Sequence, residues 1–144
     1  MYMNKAPAQD IAQILRTYGS KATPSRIAVL SALMDSHAPL SVEDIAHAAK
    51  RTMDTSTVYR IVEAFSIAGI AKKIELGKDK AFYEYAKRPH HHHIVCDSCG
   101  QIEDIENSDI ETTLKKATTS SKKFAHVTSH SLEFFGTCKT CIKK

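Results

Sequence analysis

Four cysteines, arranged as two pairs, are the first residues that indicate chemistry. Two residues separate Cys96 from Cys99, and two separate Cys138 from Cys141. A C-x-x-C turn offers two thiolates to one edge of a tetrahedron, and two such turns complete a closed four-cysteine zinc site, which is structural because no coordination position is left for a substrate. A redox pair or buried free thiols are the competing interpretations, and the two matched turns favour zinc.

Four consecutive histidines, residues 90–93, precede the first cysteine pair. In a strand the side chains alternate, so His91 and His93 face one side while His90 and His92 face the other. One run could therefore contribute to two different sites. Imidazoles mixed with carboxylates suit iron, zinc, manganese or nickel. The candidate partners elsewhere in the sequence are Glu84, Asp104, Glu111, His126 and His130.

The composition is that of an ordinary globular protein. The chain has 144 residues, of which 42% are hydrophobic and 25% are charged, enough for one domain or two small ones. The net charge of +4 is spread along the chain, so it permits DNA as a partner without requiring it. No apolar run approaches the roughly 20 residues of a membrane helix. With no signal-peptide pattern at the N-terminus, we expect a cytoplasmic protein with no membrane partner.

Residues 1–86 have the pattern of a winged helix, in which four helices precede a β-hairpin. Gly19 and Gly69 are placed to end helices, Thr23-Pro24 to begin one, and Ser41-x-x-Asp44 resembles a capping box. The third and fourth helices would form the helix-turn-helix pair. The predicted helices cover residues 8–18, about 24–36, 42 onward, and about 55–68, and the predicted hairpin strands cover residues 70–76 and 81–85, with a turn at residues 77–80.

The fourth helix has one apolar and one polar face. Its predicted buried stripe consists of Val58, Ile61, Val62 and Phe65. On the opposite face, Arg60 can donate two hydrogen bonds to a guanine, and Tyr59 can stack on a thymine methyl group. An ordinary solvated face is the competing interpretation, and the helix-turn-helix context favours DNA. Glu63, on the same face, counts against DNA binding because a carboxylate repels phosphate. The predicted DNA-binding residues are Ser56, Thr57, Tyr59, Arg60, Lys21 and Arg26, with further phosphate contacts from wing residues Lys72, Lys73, Lys78 and Lys80.

Residues 87–90 are predicted to be a hinge, because Lys87-Arg88-Pro89 is polar and ends in proline. Beyond it, strands are expected at residues 92–96 and 101–106, joined by the first cysteine turn. A helix is expected at residues 109–119 and a further strand at residues 124–135. The second domain, residues 91–144, is therefore α/β, and the whole chain is α+β.

Together these segments resemble the ferric uptake regulator family over nearly the whole chain. The resemblance implies a winged helix-turn-helix domain followed by a dimerisation domain that contains the four-cysteine zinc site. It also implies a homodimeric repressor, not an enzyme, that binds AT-rich inverted repeats of double-stranded DNA when loaded with a divalent metal. The joint pattern is highly specific. It consists of residues 21–26, 41–45, 56–60, 90–100 and 130–132, with Gly136 and the last cysteine pair.

The resemblance also implies two further metal sites. A regulatory site between the domains corresponds to Glu84, His91, His93 and Asp104. The family usually adds a histidine just before the third helix, where this sequence has Pro39, and His37 is the candidate replacement. A further site within the second domain corresponds to His90, His92, Glu111 and His130, with His92 standing where the family often has aspartate.

The sensed metal follows from the donors that remain. Once all four cysteines bind zinc, the regulatory donors are nitrogen and oxygen, which favours Fe2+ or Mn2+ over Zn2+ because zinc sensors of the family often add a cysteine. Iron-responsive control of metal uptake is the leading interpretation. A peroxide-sensing repressor is the second, because Asp104 stands where iron sensors often have glutamate. Three further functions remain as alternatives: a zinc uptake regulator, a zinc-ribbon interaction module, and a metalloenzyme with a histidine and carboxylate site. The helix-turn-helix disfavours the metalloenzyme.

Overall fold

The computed structural model describes residues 7–49, 53–76, 80–88, 91–106, 109–128, 130 and 132–143. The chain divides into two compact units, an N-terminal unit (Met1–Arg88) and a C-terminal unit (Pro89–Lys144). Among the described residues, no helix is long and apolar enough to cross a membrane. The helices are α1 (Ala8–Thr17), α2 (Pro24–Asp35), α3 (Val42–Ala48), α4 (Thr55–Ala68), α5 (Asp109–Ser120) and α6 (Lys139–Ile142), and the strands are β1 (Ala71–Glu75), β2 (Ala81–Tyr85), β3 (His92–Cys96), β4 (Ile102–Ile105) and β5 (Glu133–Gly136).

Side-chain caps define the ends of the helix-turn-helix pair. The capping box of α3 is complete, because Ser41 Oγ accepts from the Asp44 N–H while Asp44 Oδ2 accepts from the Ser41 N–H, both at 3.2 Å. At the start of α4, Asp54 Oδ1 accepts from the Thr57 N–H at 2.7 Å. Gly69 ends α4 at φ 79°, a left-handed conformation that favours glycine. Asp54 and Gly69 thus fix where α4 starts and stops.

The N-terminal unit is built on an apolar core. The predicted stripe of α4 is buried, and α4 packs against α2, α3 and β1, while α1 packs against α2. Strands β1 and β2 form an antiparallel hairpin in which Ala71 lies opposite Tyr85. Tyr83 joins this hairpin to the segment before α3, because its backbone exchanges two hydrogen bonds with Leu40, at 2.8 and 2.9 Å. The wing is thus anchored to the helix-turn-helix.

The C-terminal unit is a three-stranded sheet in the order β4-β3-β5. The central strand β3 is antiparallel to β4, with His93 opposite Asp104, and parallel to β5, with Cys96 opposite Gly136. This arrangement places His92 and His93 in the middle of the sheet and Cys96 at its end. Several large apolar side chains of this unit are exposed in the single chain: Phe124, Val127, Leu132, Phe134, Phe135 and Ile142.

One predicted element is largely wrong, and one was missed. The expected strand at residues 124–135 is limited to β5, and within residues 124–128 no strand is present. Phe124 and Val127, whose apolar pattern suggested it, are 73% and 47% exposed and so have little packing in this chain. The short helix α6 was not predicted. Of the expected hairpin turn, residues 77–79 lie outside the described residues.

Candidate metal centres and DNA-reading face

The four cysteines converge at one end of the C-terminal sheet. Cys96 ends β3, Cys99 follows in the next turn, Cys138 precedes α6 and Cys141 lies within it. Their sulfur atoms all lie within 4.8 Å of one another, and Cys99 Sγ is 3.7 Å from Cys138 Sγ. Zinc–sulfur bonds of about 2.3 Å in a tetrahedron require sulfur atoms about 3.8 Å apart. The cluster therefore has the donors and the spacing of a structural zinc site.

The shifted pKa values of the cysteine thiols also suit a bound cation. The backbone N–H of Cys138 donates to Cys96 Sγ at 3.3 Å and lowers the pKa of that thiol to about 6. The backbone N–H of Cys141 lowers the pKa of Cys138. In contrast, the pKa of Cys141 is raised to about 12, mainly by the hydrogen bond between the side chains of Cys141 and Cys138. Four adjacent thiols cannot all ionise alone, and a divalent cation would let all four become thiolates.

A second cluster of donors lies within the C-terminal unit. His93 is buried on β3, and its Nε2 lies 3.6 Å from Asp104 Oδ1 on β4. The ring of His91 meets that of His93 edge to face, with 4.9 Å between centroids. Three of the predicted regulatory donors are therefore together, and their nitrogen and oxygen atoms suit Fe2+, Mn2+ or Zn2+.

The histidine on the other side of β3 has different neighbours. His92 is buried, its Nδ1 lies 3.4 Å from the carbonyl oxygen of Leu132, and its ring centroid lies 5.7 Å from that of His130. Two members of the predicted additional site are thus neighbours. Of the other two, His90 lies outside the described residues, and Glu111 belongs to α5 with its side chain outside them.

The remaining predicted regulatory residues belong to the N-terminal unit. Glu84 is buried on β2, and its Oε2 accepts from Arg88 Nη1 at 3.4 Å. Arg88 Nη2 also donates to the backbone carbonyl of His37 at 3.2 Å, while the His37 side chain is exposed. Arg88 therefore links the two candidate ligands. Sequence reasoning missed both contacts of Arg88. Glu84 lies on a strand, where the helical rule that residues four apart are neighbours does not apply, and His37 is 51 positions away.

The polar face of α4 borders an open cleft of about 630 Å³ between α3, α4 and β2. Tyr59 is 50% exposed there, next to exposed Ser56 and Arg60. Lys80 also lines the cleft, together with Glu43, with which it pairs at 3.4 Å. Of the other predicted DNA contacts, Thr57 is half-buried beside them in α4. The cleft therefore combines the exposed ring of Tyr59 with two cationic side chains and one carboxylate.

Two predicted phosphate contacts lie outside the lining of that cleft. Lys21 is exposed just before α2. Arg26 is half-buried in the first turn of α2, and its Nη1 donates to Ser20 Oγ at 2.6 Å. Part of the Arg26 guanidinium is therefore used to tie α2 to the preceding loop.

Glu63, the residue that counted against DNA binding, contacts the wing. Its Oε1 accepts from the buried Tyr83 hydroxyl at 2.6 Å and from Lys73 Nζ at 3.3 Å. The Tyr83 hydrogen bond lowers the pKa of Glu63, while burial and Glu63 together raise the pKa of Tyr83. The negative charge of Glu63 is therefore matched within the N-terminal unit.

A helix-turn-helix with a wing, combined with a cysteine quartet and buried histidine and carboxylate donors, defines a metal-dependent DNA-binding regulator. Residues 17–135 match the model of the ferric uptake regulator family, and the chain belongs to that family. The predicted fold class is confirmed, and the family's function is transcriptional regulation, not enzyme catalysis. Members of the family bind DNA and form dimers.

Relatives from two branches of the family resemble this chain. A ferric uptake regulation protein from Neisseria meningitidis is 33% identical over 140 residues, covering 94% of each chain. A peroxide operon regulator from Bacillus subtilis is 29% identical over 144 residues, also covering 94% of each. The solved structure of the Helicobacter pylori ferric uptake regulator, described as having three functional metal-binding sites, superposes with a TM-score of 0.81 at 26% identity, covering 99% of each chain.

Proposed function

We propose that this chain is an iron-responsive repressor of metal uptake, acting in the cytoplasm as a homodimer on AT-rich inverted repeats of DNA. The observation that carries the proposal is the separation of donor types in the C-terminal unit. All four cysteines gather at one end of the sheet, while the cluster of His91, His93 and Asp104 offers nitrogen and oxygen only. Four thiolates favour Zn2+ at the cysteines. The nitrogen and oxygen donors suit Fe2+, Mn2+ or Zn2+, and the absence of a cysteine among them favours Fe2+ or Mn2+, because zinc sensors of the family often add one. The similarity to an iron regulator supports this choice.

The proposed regulatory ligands are Glu84, His91, His93 and Asp104, with His37 as an additional candidate. When bound, the metal supplies one positive centre shared by all these donors. Glu84 belongs to the wing hairpin, while the three others follow the proposed hinge at residues 87–90 in the dimerisation domain at residues 91–144. Holding a common ligand would therefore restrict how the winged-helix domain, residues 1–86, can turn.

That restriction matters because a dimer reads two half-sites. Recognition helices must lie about one helical turn of DNA apart, so a change in domain angle changes affinity. The donor residues can favour the DNA-competent arrangement only by as much as they bind the metal more tightly in it than in the other arrangements. A coupling of about 1–3 kcal/mol is typical, which corresponds to roughly 5- to 150-fold in DNA affinity.

Recognition of DNA is assigned to the surface around α4. Tyr59 and Arg60 are proposed to read bases, with Ser56 and Thr57 beside them in the first turn of α4. Lys21 and Arg26 are proposed to contact phosphate. The exposure of Tyr59 and Arg60 on one open cleft supports this assignment.

An additional metal site is proposed at His90, His92, Glu111 and His130. The short distance between the rings of His92 and His130 supports it. Three functional metal-binding sites in the similar Helicobacter pylori regulator support it as well, because this chain also has three sets of donors.

The regulatory site is tested with His93→Ala and Asp104→Ala, and with His126→Ala as a control at an exposed histidine outside the proposed sites. DNA binding is measured against free Fe2+ and Mn2+ at one fixed salt concentration, since salt alone changes DNA affinity. We expect both variants to remain zinc-containing dimers and to lose the metal response, while His126→Ala retains it. A wild-type response in both variants would place regulation elsewhere, first at the additional site.

Peroxide sensing is a second candidate, favoured by Asp104 and by the similarity to the Bacillus subtilis regulator. In that branch, iron-catalysed oxidation of a histidine ligand destroys the site. We therefore expect peroxide to abolish DNA binding of iron-loaded protein and to add oxygen to His91 or His93, detectable by mass spectrometry. Manganese-loaded protein is the control. Unmodified histidines and unchanged binding after peroxide treatment would exclude this candidate.

A further inference from the structure

Glu63 connects the recognition helix with the wing through two donors of unequal accessibility. Tyr83 is fully buried, whereas Lys73 is 37% exposed and Glu63 itself is 32% exposed. The two donors are neighbours because the hairpin register places Lys73 directly opposite Tyr83. One carboxylate oxygen thus serves a buried phenol and a partly exposed ammonium group.

The buried phenol is what holds Glu63 in place. A buried hydroxyl that loses its acceptor is costly, whereas an exposed lysine–carboxylate pair contributes little. Tyr83 cannot follow Glu63 elsewhere, since its backbone is bonded to Leu40 and its ring lies in the core. Glu63 therefore stays near the wing, and Lys73 lies beside a fixed negative charge.

A lysine held by a fixed carboxylate is poorly available to phosphate. Affinity for DNA of any sequence grows with the number of phosphates that cations neutralise, and each contributes about 0.9 to the salt dependence of binding. Lys80 offers a contrast within the same wing. It pairs with Glu43 at 3.4 Å, but its side chain and that of Glu43 are 52% and 64% exposed, so water competes more strongly for both.

We propose that Glu63 limits sequence-independent DNA binding, because it withholds Lys73 from DNA phosphates and thereby lowers affinity for DNA of any sequence. Tyr59 and Arg60, one turn earlier in α4, remain available for base contacts. The proposal rests on the proposed role of α4 in DNA recognition.

The test is a double-variant cycle in the full-length, zinc-containing and manganese-loaded protein: Glu63→Gln, Lys73→Gln and both together. Affinity for a random-sequence duplex is measured over a series of salt concentrations. Glutamine keeps an oxygen that accepts from Tyr83 while releasing Lys73. We expect Glu63→Gln to bind more tightly, with a slope of log affinity against log salt steeper by about 0.9 per protomer. Lys73→Gln alone and the double variant should both have the wild-type slope.

Several results would overturn the proposal. If Glu63→Gln strengthens binding equally when Lys73 is absent, Glu63 acts by repelling phosphate directly. If Lys73→Gln alone reduces the slope, Lys73 already contacts phosphate, and this result decides the matter even if Glu63→Gln fails to fold. An equal effect of Asp10→Asn, which makes the same charge change at an exposed position of α1, would reduce the effect to net charge.

A parallel measurement on Arg60→Ala separates this proposal from the proposed function. If that variant loses DNA binding while the Glu63 cycle shows no coupling, α4 still reads DNA and only the role of Glu63 is rejected. If Arg60→Ala binds every duplex like the wild type, the assignment of α4 as the DNA reader fails first.

Discussion

The two units of the chain differ in what stabilises them. The N-terminal unit contains the main cluster of buried apolar side chains, which extends from Ile11 in α1 to Tyr83 in β2. In the described part of the C-terminal unit, the buried residues are Val95, Cys96 and two histidines, while phenylalanines on β5 are exposed. Apolar burial dominates in the first unit, and polar metal donors dominate in the second.

One chain therefore combines two ways of stabilising a small folded unit. A unit of this length with a full core can fold alone, whereas a small unit without one needs a metal, disulfides or association with another chain. The exposed apolar side chains of β5 and its surroundings are appropriate for a dimerising family. The C-terminal unit should therefore depend on zinc and on a partner, and the N-terminal unit should not.

The largest expected effect is that of Cys96→Ser on the C-terminal unit. Structural zinc contributes apparent free energies on the order of 10–16 kcal/mol, which is comparable to or larger than the whole unfolding free energy of a small domain. We expect loss of zinc by elemental analysis and rapid amide exchange in residues 92–105, with protection retained in α1–α4. Ser98→Ala, in the same turn, should keep its zinc. A folded, zinc-free dimer of Cys96→Ser would show that the C-terminal unit does not depend on zinc.

Next in size is Leu30→Ala in the core of the N-terminal unit. Leu30 is fully buried, so truncation should reduce the free energy of unfolding by about 2–5 kcal/mol. Denaturant titration should show this loss without any change in zinc content. Ile67→Ala provides the control, because Ile67 is 88% exposed. A simultaneous loss of zinc would mean that the two units do not fold independently.

Arg60→Ala should change DNA binding and leave both units folded. Loss of one good base contact costs about 1–3 kcal/mol, so affinity for a selected operator should fall while affinity for random duplex changes much less. Arg16→Ala, an equal charge change on α1, is the control. Equal losses on both kinds of DNA would show that Arg60 contacts phosphate instead of bases.

The smallest expected effect is that of helix caps within the N-terminal unit. Ser41→Ala removes a buried capping hydroxyl and should reduce unfolding free energy by roughly 0.5–2 kcal/mol. Thr23→Ala removes the exposed cap of α2, where the hydrogen bond to Arg26 is 3.3 Å long, and should cost less. Thermal unfolding measures both. The reverse order would show that burial of the capping box adds nothing.

Much of the fold could be predicted because local signals agreed with one another. The buried stripe of α4, the capping box at Ser41 and the strand carrying the histidines all follow from periodicities of a few residues. The cysteine cluster could be predicted from spacing alone.

The remaining features depend on contacts between distant residues. The Arg88 contact with His37 spans 51 positions, and the Glu63 contact with Tyr83 spans 20, so no local pattern reveals either. The expected strand at residues 124–135 failed for a related reason. Its apolar side chains at Phe124 and Val127 find little burial in a single chain, although apolar alternation normally indicates burial.

The hydrogen bond from Tyr83 to Glu63 also gives the protein an optical property. The chain has five tyrosines and no tryptophan, and every tyrosine lies within residues 1–88. A phenol that donates to a carboxylate emits weakly, so separating Tyr83 from Glu63 should brighten the ultraviolet fluorescence. Cobalt bound by the four thiolates would instead absorb visible light in the other unit. Ultraviolet emission therefore reports on the N-terminal unit and visible absorption on the C-terminal unit, without any attached dye.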